Sequence, residues 1–135
     1  RIALIDGPSM TPTLHHGDRV LVRRIRPSAL RRGDLVMVSL AGISAARGGE
    51  RHRFVVKRVA ALPGDPVPTA ALPRSSDAPW FRRYRDGVVP PGMLVVLGDN
   101  PDFSVDSRDF GYLPVERLFG VVVRPVRRTS ADSAH

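Results

Sequence analysis

Phe54-Val55-Val56-Lys57-Arg58-Val59-Ala60-Ala61 reads as a largely buried β-strand with one lysine in it. That lysine is unusual for this chain: of its 21 lysine and arginine residues, Lys57 is the single lysine. Arginine serves for solubility, carboxylate pairing and phosphate contacts, but its guanidinium does not give up a proton at any usable pH. A lysine kept in so arginine-biased a sequence points to a task that needs a neutral, basic amine. Burial disfavours the ammonium form and the neighbouring Arg58 charge adds to that, so both lower the Lys57 pKa. The plainer alternative is a chance lysine snorkelling from a strand edge.

Working outward, the strand ends at Leu62-Pro63-Gly64-Asp65, a turn. Upstream, Gly17-Asp18 and Gly33-Asp34 each precede a β-branched run, at Arg19–Ile25 and Leu35–Leu40, which is a strand-entry pattern. Ile2 to Ile5 is a further short apolar run that breaks at Asp6-Gly7-Pro8. Residues 42–50 read as a loose polar loop, and Pro66 to Pro79 as a surface excursion rich in Pro, Ala and Ser. Trp80-Phe81-Arg82-Arg83-Tyr84 reads as a short strand or an exposed aromatic-basic edge. Met93–Leu97 is a buried strand running into Gly98-Asp99-Asn100, Pro114–Leu118 fits one helical turn with Pro114 first, and Phe119–Arg124 is the last strand. The pattern predicts an all-β or β-rich, barrel-like antiparallel fold with at most short helices. One catalytic-sized domain is expected over 1–127, with a disordered tail over 128–135.

Composition narrows the chemistry. A 135-residue chain with 42% hydrophobic and 25% charged residues is long enough for its own core. There is no cysteine, which excludes a thiol nucleophile, a thiolate metal site and a disulfide framework. The net charge of +8 favours anionic partners, either nucleic acid or an anionic membrane surface. No apolar run is long enough to span a bilayer. The chain opens on Arg1 rather than methionine, so an upstream anchor or signal segment would lie outside it. His15, His16, His52 and His135 read as solvated surface histidines, no ligand spacing suggests a metal, and no phosphate-cradling glycine pattern occurs. Neither a metal nor a cofactor is expected.

Ser9 is the candidate nucleophile. It follows Gly7-Pro8, where the chain breaks sharply, and precedes Met10-Thr11-Pro12, which fixes a second bend. A stiff turn of this kind can present a hydroxyl beside backbone N–H groups that meet an oxyanion. A turn or N-cap serine is the ordinary alternative.

Taken together these segments resemble a known family. Gly7-Pro8-Ser9-Met10-Thr11-Pro12-Thr13-Leu14 with Gly17-Asp18 and Val20-Leu21-Val22 is similar to the serine box of bacterial type I signal peptidases. Arg32-Gly33-Asp34-Leu35-Val36 is similar to their next strand, and Val56-Lys57-Arg58-Val59 with Leu62-Pro63-Gly64-Asp65 resembles the lysine box. Gly98-Asp99-Asn100, Ser104-Val105-Asp106-Ser107-Arg108 and Phe110-Gly111-Tyr112-Leu113-Pro114 resemble the last box, so that four boxes in order cover most of the chain from Ile2 to Val123.

The resemblance implies a Ser-Lys endopeptidase on a β-sheet scaffold. Ser9 would attack the scissile carbonyl and neutral Lys57 would be the general base. Ser104 would orient the Lys57 amine, an Asp106–Arg108 ion pair would support it, and Met10 would shield it. Asp99 and Asn100 would be turn residues beside that pair. Ile5, Met10, Leu14, Val55 and Val56 would line shallow pockets selecting small side chains, as in an Ala-X-Ala signal. The substrate would lie extended along the Ile2–Asp6 edge. The family often carries a hydroxyl residue where this chain has Gly7, leaving the Ser9 backbone N–H, and a water, to hold the oxyanion. The short interval between Lys57 and Gly98 marks a compact form.

The partners implied are precursors bearing signal peptides and an anionic membrane surface, on the extracytoplasmic face of a bacterial cytoplasmic membrane. Trp80-Phe81 or the loop near Gly42 would dip into the headgroups. Three alternatives remain open: a dedicated maturation protease of the same family, which could be cytosolic, a self-cleaving repressor-type Ser-Lys protease, or a non-enzymatic nucleic-acid-binding module. The low aromatic content, 6% of the chain, argues against nucleic acid.

Overall fold

A computed structural model describes residues 1–43, 54–75, 77 and 79–126. Among these residues seven strands form one antiparallel sheet, with two short helices and several 3-10 turns in its connections. The strands are β1 (Ile2–Leu4), β2 (Arg19–Arg23), β3 (Leu35–Val38), β4 (Val55–Ala61), β5 (Met93–Leu97), β6 (Leu113–Pro114) and β7 (Leu118–Pro125). They are ordered β1-β2-β7-β3-β4-β5-β6 across the sheet. The helices, α1 (Phe81–Arg85) and α2 (Ser107–Phe110), have five and four residues. Register shifts at Leu21/Val22, Met37/Val38 and Val59/Ala61 bend the sheet into a half-barrel that stays open between β1 and β6.

The two anticipated Gly-Asp strand entries and the Gly64-Asp65 turn that ends β4 share one recurring geometry. Gly17, Gly33 and Gly64 have φ near +90°, a region that favours glycine. The carboxylates of Asp18, Asp34 and Asp65 then accept the N–H groups of His15, Arg31 and Leu62. Each aspartate is thus tied to the residue three before it, which fixes the angle of the chain at the entry to β2 and β3 and at the exit from β4.

Both faces of the central strands are covered, which accounts for their nearly continuous apolar sequence. In β3, Val36 and Val38 join Val59, Leu94, Val96 and Leu113 in one cluster. Met37, between them, turns to the other face and packs with Ile5, Met10, Leu14, Val20, Val22 and Val56. Met10 and Leu14 come from the turn that carries Ser9, so the candidate nucleophile is riveted to the sheet by its own neighbours. Each such buried side chain is worth about 1.5–3 kcal/mol.

Several sequence expectations are corrected here. Residues 81–85 form helix α1 rather than a strand or exposed edge. Trp80 is half-buried, stacked edge-on against Tyr84 at 5.3 Å and seated where a Gly111 side chain would otherwise stand. The stretch from Pro66 is not wholly superficial, because Ala71 is fully buried and its carbonyl accepts the Tyr84 hydroxyl. Pro114 ends β6 and caps a 3-10 turn at Val115–Arg117, one position later than expected. The polar loop beyond residue 43, His52, the domain limit at 127, the tail and His135 lie outside the described residues.

Candidate active site

Lys57 sits in the middle of β4, paired across the sheet with Val36, and is 3% exposed. Its Nζ donates to Ser104 Oγ at 2.9 Å. The Ser104 hydroxyl in turn donates to Asp106 Oδ2 at 2.7 Å. Asp106 is fully buried and collects further donors: the Gly98 amide at 2.9 Å, the Arg108 amide at 3.1 Å and the Arg108 guanidinium through both Nε and Nη2. Burial by itself would raise the Asp106 pKa, but the Arg108, Gly98 and Ser104 hydrogen bonds outweigh it and hold the carboxyl below its usual range. Asp106 is therefore a fixed anion, and the Ser104 proton is committed to it.

Desolvation is the main influence on Lys57 and pulls its pKa from 10.5 down to about 8. Asp106 and Asp109 oppose that shift, while Arg108 and Arg74 reinforce it. Arg58 is not the pressing charge expected from the sequence. Adjacent residues in a strand point to opposite sides, and Arg58 instead grips Asp99 with Nε at 2.9 Å and Nη2 at 2.7 Å.

The Ser9 turn is stapled from the β5–α2 connection. Asn100 N donates to the Ser9 carbonyl at 2.8 Å, and Asn100 Nδ2 reaches Thr11 Oγ1 at 2.8 Å and the Pro8 carbonyl at 3.2 Å. Asp99 accepts the Thr13 hydroxyl and offers its amide to Met10 Sδ. A side chain on Gly98 would stand 2.0 Å from Ser104 Oγ and 2.9 Å from the Ser9 carbonyl, so its absence lets the two halves of the site meet. On the far side of the turn, Gly7 N donates to His16 Nδ1 at 3.0 Å, which takes that amide out of use. Among the described residues the Ser9 amide and hydroxyl have no hydrogen-bond partner, and no hydrogen bond links Ser9 to Lys57.

Ser9 and Lys57 nonetheless line the same cleft, of about 300 Å³, with Ile5, Gly7, Met10, Val55 and Val56 in its walls. Leu14 is placed differently from the expectation: it lies 3% exposed in the core cluster beneath, because it anchors the turn. Ser104, Asp106 and Arg108 stand together behind the lysine. Sequence reasoning missed the clamp made by Thr11, Thr13, Arg58, Asp99 and Asn100. It took Asp99 and Asn100 as turn residues beside Asp106, whereas they face the serine. It also missed Met37, Leu40, Phe103 and Val105 in the cleft wall. The available signal was the position of Phe103, immediately before Ser104 in the last box.

Comparison with known proteins gives the class first: the model for "Signal peptidase, peptidase S26" matches residues 1–71 and 69–126, which makes the chain a peptidase-type protein. The chain belongs to that signal peptidase family. It is 28% identical over 145 residues to signal peptidase I of Bacillus caldolyticus, covering 88% of this chain and 75% of that one. It is 32% identical over 139 residues to signal peptidase I of Leptolyngbya laminosa, covering 92% and 68%. To the mitochondrial ATP-independent inner membrane protease subunit 1b of Arabidopsis thaliana it is 36% identical over 124 residues, covering 87% of this chain and 64% of that one. A signal peptidase I structure from Enterococcus faecalis V583 aligns with 75% of this chain and 100% of its own, at TM-score 0.47 and 23% identity.

Proposed function

We propose that this chain is a serine endopeptidase that removes signal peptides from exported precursors, cutting after small residues in an Ala-X-Ala-like site. The observation that carries the reading is the buried Lys57 amine, bonded to Ser104 Oγ at 2.9 Å, in the wall of a cleft that also presents the Ser9 hydroxyl. Because the Ser104 proton goes to Asp106, Ser104 Oγ can only accept from Lys57. A neutral Lys57 must then spend an N–H on Ser104, which leaves its lone pair free for the Ser9 hydroxyl.

The reaction follows from that orientation. Substrate binding excludes water and brings Ser9 Oγ within reach of Lys57 Nζ, a contact that free enzymes often leave open. Lys57 takes the Ser9 proton as Oγ bonds to the scissile carbonyl carbon. The oxyanion faces the Ser9 amide, which has no partner among the described residues. The C–N bond then breaks, Lys57 returns the proton to the leaving amine, and an ester on Ser9 remains. Lys57 next deprotonates a water that hydrolyses the ester, and the proton passes back to Ser9. The outer edge of β1 bordering the cleft would pair with an extended substrate. Shallow walls of Ile5, Met10, Val55 and Val56 would reject bulk more than they attract it.

The membrane contact moves away from Trp80, which is packed. Leu4 is 66% exposed and Phe103 65%, and with Phe54 they border the cleft mouth. On a chain of net charge +8 they are the better candidates for entering an anionic membrane surface on its extracytoplasmic side. Among the described residues no helix is long and apolar enough to cross a membrane. Flotation with anionic vesicles tests the contact, and absence of binding removes it.

Mass spectrometry of an Ala-X-Ala signal-peptide substrate in detergent tests the activity itself. A single cut after the second alanine, lost in both Ser9→Ala and Lys57→Ala, is the expected result. A cut surviving in both variants overturns the assignment.

A further inference from the structure

Arg74 lies outside the cleft, on the connection between β4 and α1, with about a third of its side chain exposed. It nevertheless spends its guanidinium on one segment of the chain. Nη2 donates to the Pro101 carbonyl at 2.8 Å and to the Ser104 carbonyl at 2.9 Å. Nε meets Asp109 Oδ1 at 2.9 Å, and the Arg74 amide donates to the Arg108 carbonyl at 3.0 Å. Asp109 uses its other oxygen to accept the Asp106 amide at 3.0 Å, closing the N-terminal cap of α2. The stretch from Pro101 to Asp109 is thus gripped at both ends from outside. On its inner side it carries Ser104 and Asp106, the two groups under Lys57.

We propose that Arg74 is a positioning residue for the general base: it clamps the Pro101–Asp109 segment so that the Ser104 hydroxyl stays under the Lys57 amine. A planar fork of donors suits this task, since one guanidinium spans two carbonyls and a carboxylate, and a lysine ammonium does not match that geometry. The charges facing Lys57 are Asp106, Arg108, Asp109 and Arg74, so Arg74 also bears on its protonation. The catalytic consequence rests on the peptidase reading above. The clamp itself does not.

Because Lys57 is the single lysine, protein grown on ¹³C-lysine gives one side-chain Cε resonance to titrate. The titration is followed in the parent, Arg74→Ala and Arg74→Lys, with cleavage kinetics on the same preparations. In Arg74→Ala the Lys57 midpoint moves up and kcat falls about tenfold or more with KM little changed. Arg74→Lys keeps the charge, so the midpoint stays nearer the parent's while kcat remains low. A purely structural arginine would lower Tm and leave both readouts in the folded protein alone. An unmoved midpoint and parental kcat in Arg74→Ala overturn the proposal. If that variant does not fold, parental kcat in Arg74→Lys overturns it instead. If the parent cleaves nothing, a midpoint that rises in Arg74→Lys as well, where the charge is kept but the fork is lost, keeps the clamp while the peptidase reading falls, and a parental midpoint in Arg74→Lys removes the clamp.

Discussion

The two walls of the cleft solve opposite problems. On the serine side, Ser9 is half-exposed, and its hydroxyl and amide have no partner among the described residues; the turn around it is held by its carbonyl, by Met10 and Leu14 beneath, and by Asn100. On the lysine side, the amine is buried and every group behind it is saturated: Ser104, Asp106, Gly98 and Arg108 form an unbroken chain of hydrogen bonds. In the proposed reaction the nucleophile has to move onto substrate, so rigidity is supplied to its backbone and withheld from its hydroxyl. The base of that proposal has to lose a proton near neutrality, and the surroundings of Lys57 are dry and fixed. The walls meet at Gly98, which touches both.

The severest way to break the comparison is Lys57→Arg, which keeps the charge and abolishes the base. Cleavage should fall on the order of 10⁴-fold or more while the circular dichroism spectrum stays that of the parent. Gly98→Ala comes next, because the added carbon would stand 2.0 Å from Ser104 Oγ and 2.9 Å from the Ser9 carbonyl. It should cost about 10²-fold in kcat and roughly 1–3 kcal/mol in stability, read by kinetics and urea melts. Asp99→Ala loosens only the serine wall, freeing Thr13 and Arg58, and should cost about tenfold in kcat without moving the Lys57 titration.

The lysine wall can be probed alone by pH. With Lys57 at about 8, kcat/KM should climb as pH rises through that value and then level off. A profile still flat across that range and climbing only near 10.5 would contradict a desolvated base. The stability sign is the reverse of a salt-bridged lysine: the folded pKa lies below the unfolded one, so the buried ammonium costs stability below pH 8. That cost, roughly 3 kcal/mol at neutral pH, should disappear as pH rises from about 8 to 10.5. Lys57→Met should lack this slope in denaturant melts. The smallest effect is expected from Gly7→Ser. Space is open there, but φ is +84°, so the variant should lose about 1 kcal/mol and gain no rate from its hydroxyl.

The strands were legible because Gly-Asp turns and β-branched runs are local signals; Lys57 stood out as the single lysine, whereas Ser9 was picked out by the resemblance of its segment to the serine box, and both line the same cleft. Helix α1 was misread because a five-residue window holding Trp80 and Tyr84 one turn apart looks as much like alternation as like a helix. The Arg58–Asp99 pair was invisible for a different reason. It joins residues 41 positions apart, and sequence adjacency to Lys57 suggested the wrong side of the strand. Arg108 took the role assigned to Arg58 because α2 folds it back on Asp106. The inward turn of Ala71 carried no sequence signal beyond its size.

The arginine bias has a practical side for anyone handling the protein. Among the side chains, amine-directed reagents have a single address, Lys57, and there is no cysteine to divert to. Biotin esters, amine-coupling sensor chips and bifunctional crosslinkers would therefore leave the side chains untouched, or mark the centre of the cleft and silence it. Immobilisation through carboxylates would avoid both outcomes, and protection of that amine by a bound peptide would itself serve as an occupancy assay.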